Sequence, residues 1–259
     1  MKLTLNNFKP IIYILVSFFG YAAQAQLVNI ESKRMHTDSI RFVLNSDLLF
    51  NYTDNNGEYI LQIGSNLTTQ FKSKNLKSIY FLLGNVNLIR SKDEDFQNSY
   101  FLHARFNQKL SELVRFEAFL QNQNNKKLTI SERNLLGVGL RLKILDKNGT
   151  LAYFGNSYIY EIESVDDSDQ KFYNHRNSSY ISLNQSFKKY RLDITGTLYF
   201  QPLYNNISNH RILSQFKAEM PLTKRISFSA LYNYSVINFN SDLEDNRASN
   251  VSFGFTLNL

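Results

Sequence analysis

Apolar and polar residues alternate along most of this chain, in segments separated by clusters of turn-forming residues. In one segment Tyr100, Leu102 and Phe106 share one parity, and His103 and Arg105 share the other. Because successive side chains of a strand point to opposite faces, each segment predicts a β-strand with one apolar and one polar face. Composition does not shift along the chain, so one domain is expected.

Twelve such segments are recognised, each about 10 to 15 residues long. Two of them are less clear than the others. The seventh, near 151–162, carries aromatic residues on both parities, and the eighth, near 180–187, alternates weakly. The apolar parities of the other ten cover 40–50, 59–71, 80–88, 100–106, 114–120, 136–144, 192–200, 212–220, 226–236 and 251–259.

Two folds are compatible with alternating strands. In a secreted β-sandwich the apolar face forms the core, whereas in an outer-membrane barrel it meets lipid and the polar face lines the interior. The segments reach the length of about 9 to 11 residues that a tilted strand needs to cross a membrane, and their number is even. Both features favour an all-β, twelve-stranded antiparallel up-and-down transmembrane β-barrel.

The connections between segments also favour the barrel, because their lengths alternate. We expect the short ones to be periplasmic turns and the long ones to be external loops. The short connections lie at 73–75, 110–112, 146–149, 188–189 and 221–224, and the long ones at 90–98, 122–132, 163–176, 204–210 and 238–247.

The N-terminal residues predict a secretory signal peptide. An apolar run at 11–21 is shorter than the roughly 20 residues of a membrane-spanning helix, and the small residues Ala23 and Ala25 suit signal peptidase. We expect a signal peptide over 1–25, a periplasmic lead-in over 26–37 and a barrel over 38–259. The expected location is the Gram-negative outer membrane.

Composition narrows the chemistry further. The chain has no Cys, which excludes a lipoprotein anchor, disulfides and zinc–thiolate sites. The net charge of +7 is spread along the chain instead of forming a patch, so no nucleic-acid partner is expected.

Several strand patterns resemble domain of unknown function family 481, a family of salt-induced outer-membrane proteins. They are "VNIESKRM" at 28–35, "LLGN" at 82–85, "VRFEAFLQNQNNK" at 114–126, "LLGVGLRLKIL" at 135–145 and "YFQPL" at 199–203. The resemblance implies an outer-membrane barrel from a Gram-negative bacterium of the Bacteroidetes type. It implies no activity and no catalytic residues.

The candidate site is a group of polar residues whose parity places them inside the predicted barrel. No catalytic residue, metal site or cofactor is expected there. The predicted lumen-facing cluster is His103, Arg105, Asn107, Arg115, Glu117, Arg141, Asp193 and Lys217. Arg105 and Glu117 are expected to pair directly across a hairpin centred on Ser111.

The predicted function is a passive narrow pore or a structural envelope barrel. The alternative is an outer-membrane lipid hydrolase of the phospholipase type, in which His103 would activate a serine. His175 and His210 are expected in solvated loops. Acidic runs at 93–95, 166–169 and 242–245 fall in the long loops and could bridge lipopolysaccharide through cations. Expected partners are outer-membrane lipid, lipopolysaccharide and, through the last strand, the barrel-assembly machinery.

Overall fold

The computed structural model describes residues 40–55, 58–91, 99–125, 130–165, 171–238 and 246–258. The predicted signal peptide, the lead-in and the three acidic runs lie outside these residues. Among the described residues, no helix has the length and apolar character that crossing a membrane would require.

Twelve antiparallel strands form a closed barrel in which each strand pairs with its neighbours in sequence and β12 pairs with β1. The predicted fold class is therefore confirmed. The strands are β1 Phe42–Asn55, β2 Glu58–Lys72, β3 Ser78–Ser91, β4 Ser99–Lys109, β5 Val114–Asn125, β6 Ile130–Lys147, β7 Thr150–Val165, β8 Lys171–Phe187, β9 Leu192–Pro202, β10 His210–Pro221, β11 Ile226–Asn238 and β12 Asn246–Asn258.

The outer wall of the barrel is apolar, as the alternation predicts. Leu48 and Phe50 on β1 are each 64% exposed, and Phe255 on β12 is 56% exposed. An apolar surface of this extent would be unstable in water, whereas it matches the hydrocarbon of a bilayer. Closure of the sheet is required in such a medium, because free backbone groups in hydrocarbon cost several kcal/mol each.

β1 and β12 close the barrel over a limited stretch. Their paired residues run from Asn45 opposite Asn258 to Leu49 opposite Gly254. β1 and β2 pair from Phe42 opposite Phe71 to Asn55 opposite Glu58. Within the described residues, the closing contact is thus shorter than the pairing beside it.

The short turns lie at one end of the barrel and carry sequence signals that fix them. Asn148 and Gly149 have φ angles of 55° and 79°, the positive values that a two-residue hairpin turn of type I′ requires. In the turn between β10 and β11, the Thr223 hydroxyl accepts hydrogen bonds from the amides of Arg225 and Ile226. This end is called the turn end below, and the opposite one the loop end.

The β4–β5 hairpin is not centred where the sequence pattern placed it. The Ser111 hydroxyl accepts hydrogen bonds from the amides of Leu113 and Val114, which shifts the centre of the turn to Glu112. As a result Arg105 lies opposite Phe119, so the predicted direct Arg105–Glu117 register is wrong.

β7 and β8 extend further than predicted. Residues 163–176 were expected to form a loop, yet β7 continues to Val165 and β8 begins at Lys171. The alternation is obscured here because the outward face of β8 carries polar Asn177 and Ser179 among apolar residues. His175 therefore lies on a strand and not in a loop.

Candidate functional site

The inner face of the barrel holds a large number of buried charged side chains. Burying a charge is costly unless it is paired and hydrogen-bonded, so this concentration marks the lumen as the candidate site. The buried charged residues are Asp47, Lys72, Arg105, Glu117, Arg133, Arg141, Glu161, Glu163, Arg176, Arg211 and Lys217.

Five of these residues form a bonded group near the loop end, called the loop-end cluster: Arg133, Glu161, Glu163, Arg176 and Arg211. Glu161 accepts a hydrogen bond of 2.8 Å from Arg133 Nε and a second bond from Nη2 of the same side chain. Arg176 Nε donates to the other carboxylate oxygen of Glu161 at 3.0 Å. Arg211 Nη1 lies 3.6 Å from Glu161, and Arg211 Nη2 donates to Glu163 at 2.6 Å.

The loop-end cluster joins β6, β7, β8 and β10 and excludes solvent. Glu161 is 0% exposed, and Arg176 and Arg211 are each 1% exposed. Arg176 also donates to the carbonyl of Gln201 at 3.2 Å and to Asn209 Oδ1 at 3.0 Å, which ties it to the connection between β9 and β10. The cluster therefore holds adjacent and non-adjacent strands together through charge-assisted hydrogen bonds.

Apolar side chains lie on the inner face next to the loop-end cluster. Phe119, Leu135 and Ile159 pack together as a buried group. Phe119 lies directly opposite Gly137, where a Cβ atom would come within 2.0 Å of the Phe119 ring. Glycine at this position lets the ring lie flat on the neighbouring strand. A cavity of about 50 Å³ borders this group.

Glu117 is a second centre of hydrogen bonding and lies towards the turn end. It accepts hydrogen bonds from Arg105 at 3.1 Å, from Asn107 at 2.6 Å and from the Tyr180 hydroxyl at 3.1 Å. Tyr180 belongs to β8, three strands away, and its ring passes over Gly155, where a Cβ atom would come within 2.0 Å of it. Arg105 and Glu117 thus form an ion pair, although they are not directly opposite.

A larger cavity of about 320 Å³ occupies the turn end of the lumen and is called the turn-end vestibule. Its lining comes from both sides of the barrel, with Gln70 and Phe81 on one side and Asn184 and Thr195 on another. The charged residues that line it are Arg105, Lys109, Glu112, Arg115, Arg141, Lys143 and Asp146.

His103 has the surroundings of a structural residue. Its ring stacks between Phe101 and Phe119, its Nδ1 lies 3.2 Å from Gln121 Oε1, and its Nε2 accepts a hydrogen bond from Arg105 Nε at 3.3 Å. The side chain is 3% exposed and points into the lumen, away from the lipid-facing wall where an acyl ester would lie.

Neither of the other two histidines lies in the loop expected for it. His175 faces outward on β8 and lies 2.5 Å from the Tyr158 hydroxyl, so its prediction as a loop residue is wrong. His210 is the first residue of β10, and its Nδ1 lies 2.9 Å from the carbonyl of Ser208.

The residues of the predicted lumen-facing cluster do not form one bonded group. His103, Arg105, Asn107, Arg115 and Glu117 are linked by hydrogen bonds, with Arg115 donating to Asn107 Oδ1 at 3.2 Å. Arg141 stacks on the ring of Tyr153 at 3.7 Å. Asp193 accepts a hydrogen bond from Ser186 at 2.5 Å, and Lys217 lies 2.5 Å from Glu219.

The loop-end cluster was missed at the sequence level. Glu163 and Arg176 fell within a predicted loop, and Glu161 fell in the segment with ambiguous parity. Arg133 and Arg211 share the inward parity of their strands, so extending the alternation to the strand ends would have found them. In the described part of the chain, no group of three or more His, Cys, Asp or Glu side chains is arranged to hold a metal ion.

The chain matches the model of a family described as "Protein of unknown function, DUF481" over residues 28–258. It belongs to this family. The family resemblance predicted from the sequence is therefore confirmed, and the description assigns no activity. No curated protein matches the chain.

Solved structures with a similar fold are outer-membrane barrels. The NanC porin has a TM-score of 0.51 at 12% identity, covering 84% of this chain and 98% of the porin. The KdgM porin has a TM-score of 0.46 at 10% identity, covering 83% and 98%. The translocator domain of the autotransporter NalP from Neisseria meningitidis has a TM-score of 0.44 at 11% identity, covering 84% and 87%. At 12% identity the likeness to the NanC porin concerns the fold alone, which is that of an outer-membrane barrel.

Proposed function

We propose that this protein is a passive barrel of the Gram-negative outer membrane whose lumen is closed at the loop end by its own side chains. The observation that carries the proposal is the solvent-excluded loop-end cluster, in which Glu161 contacts Arg133, Arg176 and Arg211. A barrel built as an open pore would keep these charged groups hydrated along an aqueous path.

The energetics of the cluster support a closed resting state. Separating one buried partner from such a group leaves an uncompensated charge and costs about 3–5 kcal/mol. A narrow pore would have to break several of these contacts to conduct, so spontaneous opening would be rare. The proposal thus favours a structural envelope barrel over a constitutively open narrow pore.

Planar-bilayer conductance tests this proposal. The wild-type barrel should show no steady open state, whereas Glu163→Ala combined with Arg211→Ala should give a stable ion current. The double change removes the Arg211–Glu163 pair and the contacts of these two side chains with Glu161 and Arg133, and it leaves the net charge of the cluster unchanged. The control, Lys109→Ala with Glu112→Ala, removes an exposed pair at the turn end and should stay closed. A steady open conductance of the wild type would show that the lumen is not closed.

The proposed partners follow from the location. Membrane lipid and lipopolysaccharide would surround the apolar outer wall, and the barrel-assembly machinery would engage β12 during insertion. Export through a cleaved signal peptide over 1–25 is part of the same proposal.

No lipid hydrolysis is proposed. The burial of His103 and its contacts with Gln121 and Arg105 support a structural role for this side chain. Assay of the purified barrel for acyl-ester release, with and without calcium, tests this. Calcium-dependent turnover that disappears in His103→Ala would establish the hydrolase instead.

A further inference from the structure

Three cations face one another across adjacent strands in the turn-end vestibule. Lys109 on β4 lies directly opposite Arg115 on β5, and Arg115 lies directly opposite Arg141 on β6. All three side chains line the vestibule. Like charges directly across an antiparallel pair repel one another and destabilise it, so a row of three needs compensation.

The lining of the vestibule carries more cations than carboxylates. Lys109 bonds to the exposed carboxylate of Glu112 at 2.6 Å. Arg115 donates to a neutral amide, that of Asn107, and Arg141 stacks on the ring of Tyr153. Five cationic side chains and two carboxylates line the vestibule, and cations still outnumber carboxylates when Glu117, the partner of Arg105, is included.

The vestibule also has the space and the polar lining that a ligand needs. Its volume of about 320 Å³ exceeds that of a few ordered water molecules, each of which occupies about 30 Å³ of liquid. Asn184 and Thr195 also line the vestibule and provide polar groups. A guanidinium group binds two oxygen atoms of a carboxylate or a phosphate through two parallel hydrogen bonds.

We propose that the turn-end vestibule is a binding site for a small oxyanion, with its carboxylate or phosphate group between Arg115 and Arg141. Lys109 and Arg105 would add positive charge on the same side. The proposal goes beyond the proposed function, because a site at one end of the lumen can fill whether or not the barrel conducts.

Calorimetric titration of the detergent-solubilised barrel tests the site, with inorganic phosphate in one arm and succinate in the other. Chloride should be adjusted to keep the ionic strength constant in all titrations, because screening weakens every exposed charge. Saturable binding in one arm or both is expected, and the tighter arm identifies the preferred oxyanion. The absence of saturable binding in both arms would overturn the proposal.

Matched variants locate the binding. Arg115→Gln and Arg141→Gln should each weaken binding about ten-fold or more, because each removes a charge-assisted pair of hydrogen bonds. Arg225→Gln makes the same change in the exposed turn between β10 and β11 and should leave binding unchanged. An equal loss in Arg225→Gln would mean that the anion responds to net charge and not to this site.

A measurement on the wild type covers the case in which a variant fails to fold. The folded wild-type barrel is titrated with whichever of the two oxyanions binds more tightly. The Nε–H NMR signals of Arg115 and Arg141 should shift, and that of Arg225 should stay in place. Shifts confined to Arg225, or uniform among all three, would contradict the assignment.

Discussion

The two ends of the lumen use the same kind of side chain and differ in how its charge is matched. At the loop end, Glu161 and Glu163 lie among three arginines, and solvent does not reach them. At the turn end, Arg115 and Arg141 face each other beside a cavity of about 320 Å³. The inward arginines of the loop end thus lie among carboxylates, whereas those of the turn end border a cavity.

The difference shows that inward direction alone does not assign a role to a charged residue. The role of an inward arginine depends on the number of carboxylates within reach and on the volume left around its guanidinium group. A buried, matched group contributes little net stability compared with an apolar core, yet it is costly to break. We therefore propose that the loop-end cluster keeps the lumen closed and that the turn-end vestibule binds an external anion.

The largest expected effect concerns the loop-end cluster. Glu161→Gln leaves Arg133, Arg176 and Arg211 with one carboxylate among them and should lower the free energy of unfolding by about 3–5 kcal/mol. Urea unfolding of the barrel in phospholipid vesicles measures it. The control, Glu112→Gln in an exposed turn, should cause no measurable change. An equal loss of unfolding free energy in Glu161→Gln and Glu112→Gln would show that charge is matched alike at the two ends of the lumen.

The next effect concerns Glu117, which lies between the two ends. Glu117→Gln keeps the shape of the side chain but removes the charge that holds Arg105, and should cost about 1.5–3 kcal/mol. Glu132→Gln makes the same change on the exposed outer face of β6 and should lie within experimental error of the wild type. If Glu117→Gln unfolds like the wild type, the lumen around Arg105 is hydrated.

How far the sequence predicts this molecule depends on whether the feature is local. Alternation with a period of two predicted the twelve strands and the outer wall, because lipid outside and polar groups inside constrain every strand in the same way. The Arg105–Glu117 pair was predicted from an incorrect register, and it forms because long side chains also reach diagonal neighbours.

The loop-end cluster shows where such prediction ends. Glu161 and Glu163 on β7 meet Arg211 on β10, and these strands are not neighbours in the sheet. Their contact depends on the curvature of the wall and on the stagger of its strands, which alternation along one strand does not encode. The strand ends that carry Glu163 and Arg176 were also assigned to a loop, which hid two of the five residues of the cluster.

A smaller effect concerns the apolar group beside the loop-end cluster. Gly137→Ala would place a Cβ atom within 2.0 Å of the Phe119 ring and should cost about 1–3 kcal/mol through displacement of the ring. Gly84→Ala is the control, because its Cβ would lie 3.6 Å from Leu102, an ordinary contact. The same urea titration checks both. An unchanged free energy of unfolding in Gly137→Ala would mean that the Phe119 ring moves freely. The apolar group would then add no rigidity beside the loop-end cluster.

The smallest effect belongs to the turn end. Lys109 donates a hydrogen bond to Glu112 and holds the pKa of that carboxyl below its ordinary value. The associated stabilisation is present above the ordinary pKa and is lost as the pH falls through the lowered one. It should be small, because the pair is exposed to solvent.

An NMR titration of the Glu112 carboxyl carbon checks this pKa, and Lys109→Gln should return the midpoint towards its ordinary value. An unchanged midpoint in Lys109→Gln would show that Lys109 does not interact with Glu112. Lys109 would then be a cation beside Arg115 that Glu112 does not neutralise.

The short pairing between β1 and β12 has a kinetic consequence. Within the part of the chain that the structure describes, it runs from Asn45 and Asn258 to Leu49 and Gly254, whereas β11 and β12 pair from Ile226 and Leu257 to Ile237 and Asn246. Opening a seam costs free energy in proportion to the bonds it breaks, so we expect thermal breathing of the wall to begin there. Backbone amides along this seam should exchange with deuterium before those between β6 and β7. A molecule that passed sideways between lumen and bilayer would meet its lowest barrier at the same place.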